Sequence, residues 1–341
     1  MPNNRQFRLK SRPVGRIKPS DFELVEAPIP TPGPGEAVAK LLYLSLDPTN
    51  RIWVTDQESY LPPVQIGEVM RGGGLAQIVA SQRPELKVGD LVAGLTGWQE
   101  YALLDDATAP MVQAVPSGLP VPLPALLGAL GFTGLTAYFG LLDVGQPQAG
   151  ETVVISAAAG ATGSVAGQIA RIKGCRVVGI AGGRDKCAWL TDELGFDAAV
   201  DYKQPDLAGR LRAACPNGID VNFENVGGEI MDTVMEQMNN NGRVALCGLI
   251  SGYNAGEPMR GRFDLVLTKR LTVRGFIILD YMARFPEAAM QLAQWLIEGK
   301  LKHADTIVDG FEQAPVAINM LFDGGNKGKL LVKVADPDSA C

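Results

Sequence analysis

The sequence predicts an α/β fold in which a doubly wound parallel sheet is inserted in a β-rich domain formed by both chain ends. Short β-type runs separated by proline and glycine fill residues 1–120, whereas strands and helices alternate from Thr152 onward. Strand-like runs return after Lys300, so the first and last parts of the chain are expected to share one domain. The predicted limits are 1–124 with 301–341 for the β-rich domain and 125–300 for the inserted domain.

Short apolar runs at regular spacing mark the strands of the β-rich domain and are typical of a small barrel or sandwich. The basic stretch between Arg5 and Arg16 is interpreted as a solvated arm, because charge runs of this kind are commonly surface segments. The predicted strands are 37–44, 76–80, a turn and strand within 87–94, 99–104, 306–308 and 329–334.

The inserted domain shows strand and helix signals in regular succession. A β-branched run at 152–156 is followed by Val165, Ile169 and Ile172 at helical spacing. Repetition of this order predicts a parallel sheet with helices on both faces. The predicted strands are 152–156, 176–180, 198–201, 221–224, 243–247 and 271–276, and the predicted helices are 124–138, 163–173, 186–194, 206–214, 229–238 and 284–298.

Composition and charge argue against several classes of protein. The formal net charge is −6, which gives no electrostatic support to a nucleic-acid partner. Five cysteines without a CxxC pair favour a reducing compartment, and the polar start predicts no signal peptide. No apolar run reaches the roughly 18 residues that a membrane span needs. A cytoplasmic protein without a membrane partner is therefore expected.

The chain has one histidine, His303, with no cysteine near it, and no GxSxG motif. Zinc sites normally need several His or Cys ligands, and Ser-His-Asp hydrolysis needs a positioned histidine. No metal site is therefore predicted, and His303 is interpreted as a surface-loop residue. The carboxylates of Asp47 and Glu68 are expected to have structural roles.

A glycine-containing turn joins the first strand of the inserted domain to its first helix. It reads Ala158-x-Gly160-x-x-Gly163, with alanine where the usual dinucleotide pattern has its first glycine. Glycines at such a turn let the backbone approach a pyrophosphate and let the helix pack on the strand. The helix N-terminus adds free N–H groups and the positive end of its dipole. Gly160, Ala161, Thr162 and Gly163 are therefore predicted to bind a dinucleotide, with an ordinary βα turn as the alternative.

The end of the second strand, roughly 20 residues further on, decides between the two nicotinamide dinucleotides. NAD sites use an acidic residue there for the ribose 2′-hydroxyl, whereas NADP sites use cations for the 2′-phosphate. This strand ends in two glycines, and the helix start that follows carries Arg184, Asp185 and Lys186. The two cations favour NADPH, and the alternative is that they are solvated residues at a helix start.

Seven motifs spread along the chain carry a family resemblance. They are LSLDP at 44–48, GEVM at 67–70, GFTGLTAY at 131–138, AAAGATG at 157–163, FENVGG at 223–228, CGLIS at 247–251 and GNKGK at 325–329. With them the chain resembles the zinc-free branch of the medium-chain dehydrogenase/reductase superfamily that contains prostaglandin reductases, plant alkenal double-bond reductases and bacterial curcumin reductases. The resemblance implies a Rossmann NADPH-binding domain inserted in a GroES-like substrate domain. It also implies NADPH-dependent reduction of the α,β-double bond of enones and enals.

The resemblance further assigns roles to individual residues. Lys186 and Tyr202 match residues that contact the 2′-phosphate, and Gly183 stands where relatives often have a small hydroxyl residue. Several of the other matching residues follow the fourth and fifth strands, at the carboxyl edge where ligands lie in open α/β sheets. On the nicotinamide and ribose side the matching residues are Asn225, Cys247, Gly248, Ser251, Tyr253, Phe276, Ile277, Ile278 and Asn326.

The sequence leaves the proton donor open. Many relatives have tyrosine where Thr49 stands, and eukaryotic members have tyrosine where Thr268 stands. Hydride transfer to the β-carbon leaves negative charge on the carbonyl oxygen, and the α-carbon must then be protonated. Tyr253 and Tyr60 are the candidate catalytic residues, with Tyr253 near the ribose or the enolate and Tyr60 at the substrate mouth. Water is the alternative donor.

A small α,β-unsaturated carbonyl compound is the expected substrate, and the apolar residues Ile278, Leu279 and Tyr281 favour a hydrophobic one. A quinone reductase on the same fold and a non-catalytic NADPH-binding scaffold are the alternatives. Relatives are often homodimers, and a strand within 271–278 could pair across a twofold axis.

Overall fold

The computed structural model describes residues 3–108, 111–116, 118, 120–255 and 260–338, and the chain divides into two compact units. The first unit comprises the chain up to Leu127 with Thr306–Gly325 and the segment from Leu330 onward. The second comprises Gly128–Asp305 with Asn326–Lys329. The domain limits predicted from the sequence stay a prediction.

The elements of the described residues are numbered in chain order. The strands are β1 (Asn3–Leu9), β2 (Phe22–Pro28), β3 (Ala37–Ser45), β4 (Gly73–Ser81), β5 (Leu91–Leu95), β6 (Tyr101–Leu104), β7 (Val112–Ala114), β8 (Thr152–Ile155), β9 (Arg176–Ala181), β10 (Ala198–Asp201), β11 (Ile219–Glu224), β12 (Met238–Leu246), β13 (Thr272–Gly275), β14 (Asp305–Asp309) and β15 (Lys329–Lys333). The helices are α1 (Thr49–Trp53), α2 (Phe132–Phe139), α3 (Ala161–Ile172), α4 (Arg184–Ala188), α5 (Leu207–Ala214), α6 (Gly228–Gln237), α7 (Phe263–Lys269), α8 (Phe285–Ile297), α9 (Ala314–Ala317) and α10 (Met320–Asp323).

The second unit is built on a parallel sheet whose strand order is β10-β9-β8-β11-β12-β13. Successive side chains of a strand point to opposite faces, and both faces are buried here. Val153 and Ile155 pack in one apolar cluster with Ile169 of α3, whereas Val154 packs in another with Val234 of α6. Helices on both faces confirm the predicted doubly wound α/β fold. No helix in the described part of the chain has the length and apolar character needed to cross a bilayer.

The first unit contains a largely antiparallel sheet of order β14-β15-β3-β4-β5-β7, with β6 paired to β3. Its core includes Leu41, Leu44 and Trp98, and strands from the end of the chain complete it. The β-rich character predicted for both chain ends is therefore confirmed.

The prediction of a solvated N-terminal arm is wrong. β1 pairs with β2 in an antiparallel hairpin, and Phe7 and Leu9 are buried. Arg5 forms a 2.7 Å ion pair with Glu100 and contributes a cation–π contact to Phe311. Partners that are distant in the sequence hold this segment in the fold, and a charge pattern cannot show them.

Two predicted helices are also revised. Within 124–138 a 3-10 turn at Leu123–Leu126 is followed by a break, and α2 begins only at Phe132. Within 186–194 the α-helix ends at Ala188 and continues as a π-helical turn, Trp189–Glu193. The other predicted helices and strands are present, with bounds that differ by a few residues.

Candidate functional site

The turn between β8 and α3 is closely packed backbone. A Cβ atom added at Gly163 would lie 2.5 Å from the carbonyl oxygen of Ala157 and 2.9 Å from the Cα of Ala158, so only glycine fits. Ala157 has a φ of +46°, which gives the turn its sharp exit from the strand. Because α3 begins at Ala161, the N–H groups of its first turn have no partner within the helix. The turn therefore forms a cradle that can bind a pyrophosphate.

The segment that contains Asn326 lies directly against this turn. The N–H of Gly328 donates to the carbonyl oxygen of Ala159 at 2.8 Å, and Gly160 and Gly328 form a parallel bridge. Asn326 is buried, and its amide donates to the carbonyl oxygen of Gly328 at 2.9 Å. The predicted binding residue Asn326 is thus adjacent to the glycine turn, although 163 positions separate it from Gly163 in the sequence.

At the carboxyl end of β9 two glycines leave space that the next turn fills. A Cβ added at Gly182 would lie 2.9 Å from the ring of Tyr202 and 3.0 Å from the Cε of Lys203. Gly183 has a φ of +99°, a conformation that favours glycine over the small hydroxyl residue of relatives. No side-chain hydroxyl is therefore available at this position.

A buried carboxylate ties these two turns together. Oδ1 of Asp201 accepts hydrogen bonds from the N–H of Gly183 at 2.8 Å and from the N–H of Lys203 at 3.0 Å. The bond from Gly183 is the main reason that the pKa of Asp201 is lowered. Asp185, in contrast, is exposed on α4. The acidic group at this edge therefore binds backbone rather than presenting itself to a ribose.

Lys186 is half-buried, and burial is the main cause that lowers the pKa of its ammonium. The charge of Lys203 lowers this pKa further. Arg184, the other cation predicted from the sequence, is exposed at the start of α4. The predicted residues Gly183, Lys186 and Tyr202 are thus brought to one edge of the sheet.

The carboxyl end of β11 carries a fully buried glutamate that organises the following turn. Oε1 of Glu224 accepts from the hydroxyl of Ser156 at 2.8 Å and from the N–H groups of Val226 and Gly227 at 2.7 and 2.8 Å. The amide of Asn225 donates to the carbonyl oxygen of Ser156 at 2.7 Å. Asn225 is therefore fixed at the junction of the β8 and β11 strand ends.

The segment after β12 folds against the same junction. The N–H of Gly248 donates to the carbonyl oxygen of Glu224 at 3.0 Å, and the hydroxyl of Ser251 donates to the carbonyl oxygen of Val226 at 2.6 Å. The phenol of Tyr253 accepts a 3.0 Å hydrogen bond from the N–H of Leu249. A Cβ at Gly248 would lie 3.3 Å from that phenol oxygen. Asn225, Gly248, Ser251 and Tyr253 therefore share one site.

Residues Cys247 and Phe276 follow β12 and β13, whose ends are paired at Leu246 and Gly275. The ring of Phe276 packs edge-on against Phe223, and both Phe276 and Ile278 contact the apolar core together with Cys247. Ile277 is partly buried beside them. These residues form an apolar wall at the strand ends.

Tyr60 belongs to the first unit, apart from the residues described above. Its phenol forms a hydrogen bond with the hydroxyl of Thr49, and burial raises the pKa of that phenol. The residue is 38% exposed, so Tyr60 is accessible to a ligand.

The remaining predictions concern His303, Asp47 and Glu68. His303 lies outside regular secondary structure and is partly exposed, which agrees with a surface-loop residue, and its Nδ1 lies 3.0 Å from Oδ2 of Asp305. Asp47 accepts a 2.5 Å hydrogen bond from Ser45, and Glu68 accepts one from the N–H of Gln65 at 2.9 Å. Among the residues that the structure describes, no three His, Cys, Asp or Glu side chains are grouped to hold a metal ion.

Sequence reasoning missed three residues at these turns: Asp201 and Glu224, which hold the turns together, and Lys203, whose side chain lies over Gly182. Asp201 and Glu224 each end a predicted strand, and a carboxylate at the carboxyl end of an apolar strand is the signal that could have found them. Lys203 follows Tyr202 directly but carried no local signal, since its position depends on the pairing of β10 with β9.

The second unit fits a dinucleotide that carries a 2′-phosphate. The glycine turn offers N–H donors for a pyrophosphate, cations follow the end of β9 while the carboxylate of Asp201 accepts from backbone N–H groups, and the ends of β11 and β12 offer polar groups beside an apolar wall. These features lie along the carboxyl edge of one parallel sheet, where ligands bind in open α/β folds.

Comparison with known protein families agrees with this arrangement. A family described as the N-terminal domain of oxidoreductase matches residues 5–112, and one described as zinc-binding dehydrogenase matches residues 161–295. The chain is therefore a medium-chain dehydrogenase/reductase.

Individual relatives indicate which branch of the medium-chain dehydrogenase/reductases the chain resembles most. An NADPH-dependent curcumin reductase of Escherichia coli is 44% identical over 98% of this chain and 98% of its own length. An NADP(+)-dependent 2-alkenal reductase of Nicotiana tabacum is 39% identical, with 98% of each chain covered. The crystal structure of CurA from Vibrio vulnificus in complex with NADPH has a TM-score of 0.92 and 45% identity, covering 98% of this chain and 100% of that one. The chain belongs to the branch of curcumin, alkenal and prostaglandin reductases, as its motifs predict.

Proposed function

We propose that the protein binds NADPH and reduces the α,β-double bond of an enone or enal. The observation that carries the cofactor assignment is the cationic edge at Gly182, where the ring of Tyr202 and the side chain of Lys203 lie over the glycine and the half-buried Lys186 follows on α4. An NAD site would present an acidic side chain at the end of β9 instead. Relatives named for curcumin and 2-alkenal reduction support the substrate class.

The residues of the second unit would then have distinct tasks. Gly160, Ala161, Thr162 and Gly163 would hold the pyrophosphate through backbone N–H groups. Asn225, Ser251 and Asn326 would hold the ribose and nicotinamide side, and Phe276, Ile277 and Ile278 would limit water there. When bound, NADPH supplies the hydride that the β-carbon of the substrate accepts.

Tyr253 is the proposed catalytic residue of this unit. Its phenol oxygen accepts from the N–H of Leu249, which holds the ring in the site, and a phenol hydroxyl is also a donor to oxygen. A donor aimed at the carbonyl oxygen of the substrate stabilises the negative charge that develops there. Tyr60 of the first unit is proposed to line the substrate mouth, and water is the second candidate for protonation of the α-carbon.

The first prediction concerns Tyr253→Phe. Turnover of NADPH with an enone is expected to fall by about 10²–10³-fold if this phenol stabilises the enolate, as for other oxyanion donors. The control is the turnover of a Tyr43→Phe variant, in which a tyrosine of β3 in the first unit is changed. Wild-type turnover by the Tyr253→Phe variant would remove this residue from the mechanism.

A screen of NADPH consumption over enals, enones and quinones tests the activity as a whole. Preference for enones and enals supports the proposal. Preference for quinones would identify a quinone reductase, and tight NADPH binding without oxidation by any acceptor would identify a scaffold.

A further inference from the structure

We propose that Lys203 is a second cation for the 2′-phosphate of NADPH and that the buried carboxylate of Asp201 positions it. The inference rests on the proposed function, because it assumes NADPH as the cofactor. It adds a binding residue and a positioning residue that neither the sequence motifs nor the comparisons assign.

The position of Lys203 carries the first step. Its Cε lies 3.0 Å from the point where a Cβ of residue 182 would stand, so its side chain extends over the end of β9. The ring of Tyr202 lies 2.9 Å from the same point. The end of this strand is where dinucleotide folds recognise the ribose 2′ position. The absence of a side chain at Gly182 is what allows both groups to approach it.

The second step concerns how Lys203 is held. One oxygen of Asp201 accepts hydrogen bonds from the N–H of Lys203 and from the N–H of Gly183. The guanidinium of Arg210 donates to the carbonyl oxygen of Asp201 at 3.0 Å. The turns that leave β9 and β10 are thus joined through one buried side chain. The Asp201 carboxylate fixes the position of Lys203 through the backbone N–H of the lysine. The ammonium group of Lys203 does not take part in this bond and can bind a phosphate.

The third step is electrostatic. The Cε of Lys203 lies over Gly182, the half-buried Lys186 follows four residues later on α4, and the charge of Lys203 lowers the pKa of Lys186. In the described part of the chain, no carboxylate forms an ion pair with the ammonium of Lys203. Two like charges side by side are unfavourable in the ligand-free protein. A phosphate dianion between them would offset this repulsion, and charge-assisted hydrogen bonds would add to its binding.

This arrangement also selects between the cations near Gly182. Arg184 and Lys203 are both exposed, but Lys203 rather than Arg184 provides one of the three atoms nearest to a Cβ built at Gly182. We therefore assign the second phosphate contact to Lys203 rather than to Arg184.

The test compares two ligands that differ only in the 2′-phosphate, 2′,5′-ADP and 5′-AMP, by isothermal titration calorimetry on the full chain. Lys203→Met is expected to weaken 2′,5′-ADP binding by about tenfold, the size expected for loss of one charged hydrogen bond, and to leave 5′-AMP unchanged. Lys203→Arg should retain wild-type binding because it keeps the charge. Lys173→Met is the matched control, since this exposed lysine follows the last turn of α3, at the opposite edge of the sheet.

Asp201 is tested through the ratio of the two affinities. Asp201→Ala should lower the affinity for 2′,5′-ADP more than the affinity for 5′-AMP. Asp201→Asn keeps an oxygen that can accept from the N–H groups of Gly183 and Lys203, so the ratio of the two affinities should stay at its wild-type value. An equal loss of affinity for 2′,5′-ADP and 5′-AMP in Asp201→Ala would show that the whole nucleotide site is disturbed. That result would overturn the positioning role of Asp201.

The outcomes separate this inference from the proposed function. If Lys203→Met binds 2′,5′-ADP with wild-type affinity, Lys203 does not contact the 2′-phosphate. The same conclusion follows if this variant loses affinity for 2′,5′-ADP and 5′-AMP equally. Thermal melts establish that the variants fold. If the wild-type protein does not prefer 2′,5′-ADP to 5′-AMP, the NADPH proposal itself fails, whatever the variants do.

Discussion

The cysteine residues matter because the proposed substrates react with thiolates. Burial raises the pKa of Cys175 and Cys215 to about 11 and that of Cys247 to about 12, and it also raises the pKa of Cys187. Since the thiolate is the nucleophile, each of the first three thiols is ionised to only about one part in ten thousand or less at pH 7. These side chains are thereby protected from alkylation by the compounds that the enzyme is proposed to reduce.

A labelling experiment tests this protection. In a Cys341→Ser variant, N-ethylmaleimide at pH 7 is expected to modify the native protein far more slowly than the protein unfolded in urea, and the native rate should rise as the pH approaches 11. Intact-protein mass spectrometry gives the number of labels. Rapid modification of two or more thiols in the native state would show that burial does not protect them.

At the scale of single elements, the turn before α3 is the most constrained part of the site. We predict that Gly163→Ala destabilises the protein by about 1–3 kcal/mol, because the added methyl group would meet backbone atoms of Ala157 and Ala158 that cannot move away. Gly275→Ala is the matched control, since a Cβ there meets no atom within 4 Å. Urea unfolding measures both. Equal stability of the two variants would show that the turn relaxes and is not closely packed.

The elements also show what the sequence could predict. The apolar run of β8 and the helical spacing in α3 are local patterns, and both elements were placed within two residues. β1 was missed because it buries the polar residues Asn4 and Gln6, which find partners near Tyr101 and Gln99. Burial that depends on distant partners leaves no local pattern.

The residues of the site also differ in whether a local sequence pattern reveals them. The glycine turn has a local sequence pattern, so its position was predictable. Asp201 and Lys203 act through the pairing of β10 with β9, and Glu224 acts through contacts with Ser156, which lies 68 positions earlier. Residues whose roles arise from such pairings could be named only once the fold was known.

At the scale of the whole molecule, an exposed edge strand indicates a partner. β13 ends the parallel sheet, and its residues are all exposed. On the adjacent α7, Phe263 and Leu267 are each 78% exposed. Unpaired edge strands invite pairing, and a twofold axis would let β13 pair with its copy.

We therefore propose a homodimer and predict that Val273→Lys weakens it by placing a charge in the centre of that edge. Size-exclusion chromatography with light scattering should show a dimer for the wild-type protein and a shift toward monomer for the variant. Val88→Lys, at an exposed position of the first unit, is the control. A monomeric wild-type protein would defeat the proposal.

In the proposed reaction, hydride from NADPH reaches the β-carbon of an unsaturated carbonyl compound. The most direct measurement uses NADPH that carries deuterium at C4 of the nicotinamide, on each face in turn, with an enone as acceptor. We expect a saturated ketone with deuterium at the β-carbon from one of the two labelled forms. An allylic alcohol with deuterium at the former carbonyl carbon, or no deuterated product from either form, would contradict the proposed reaction.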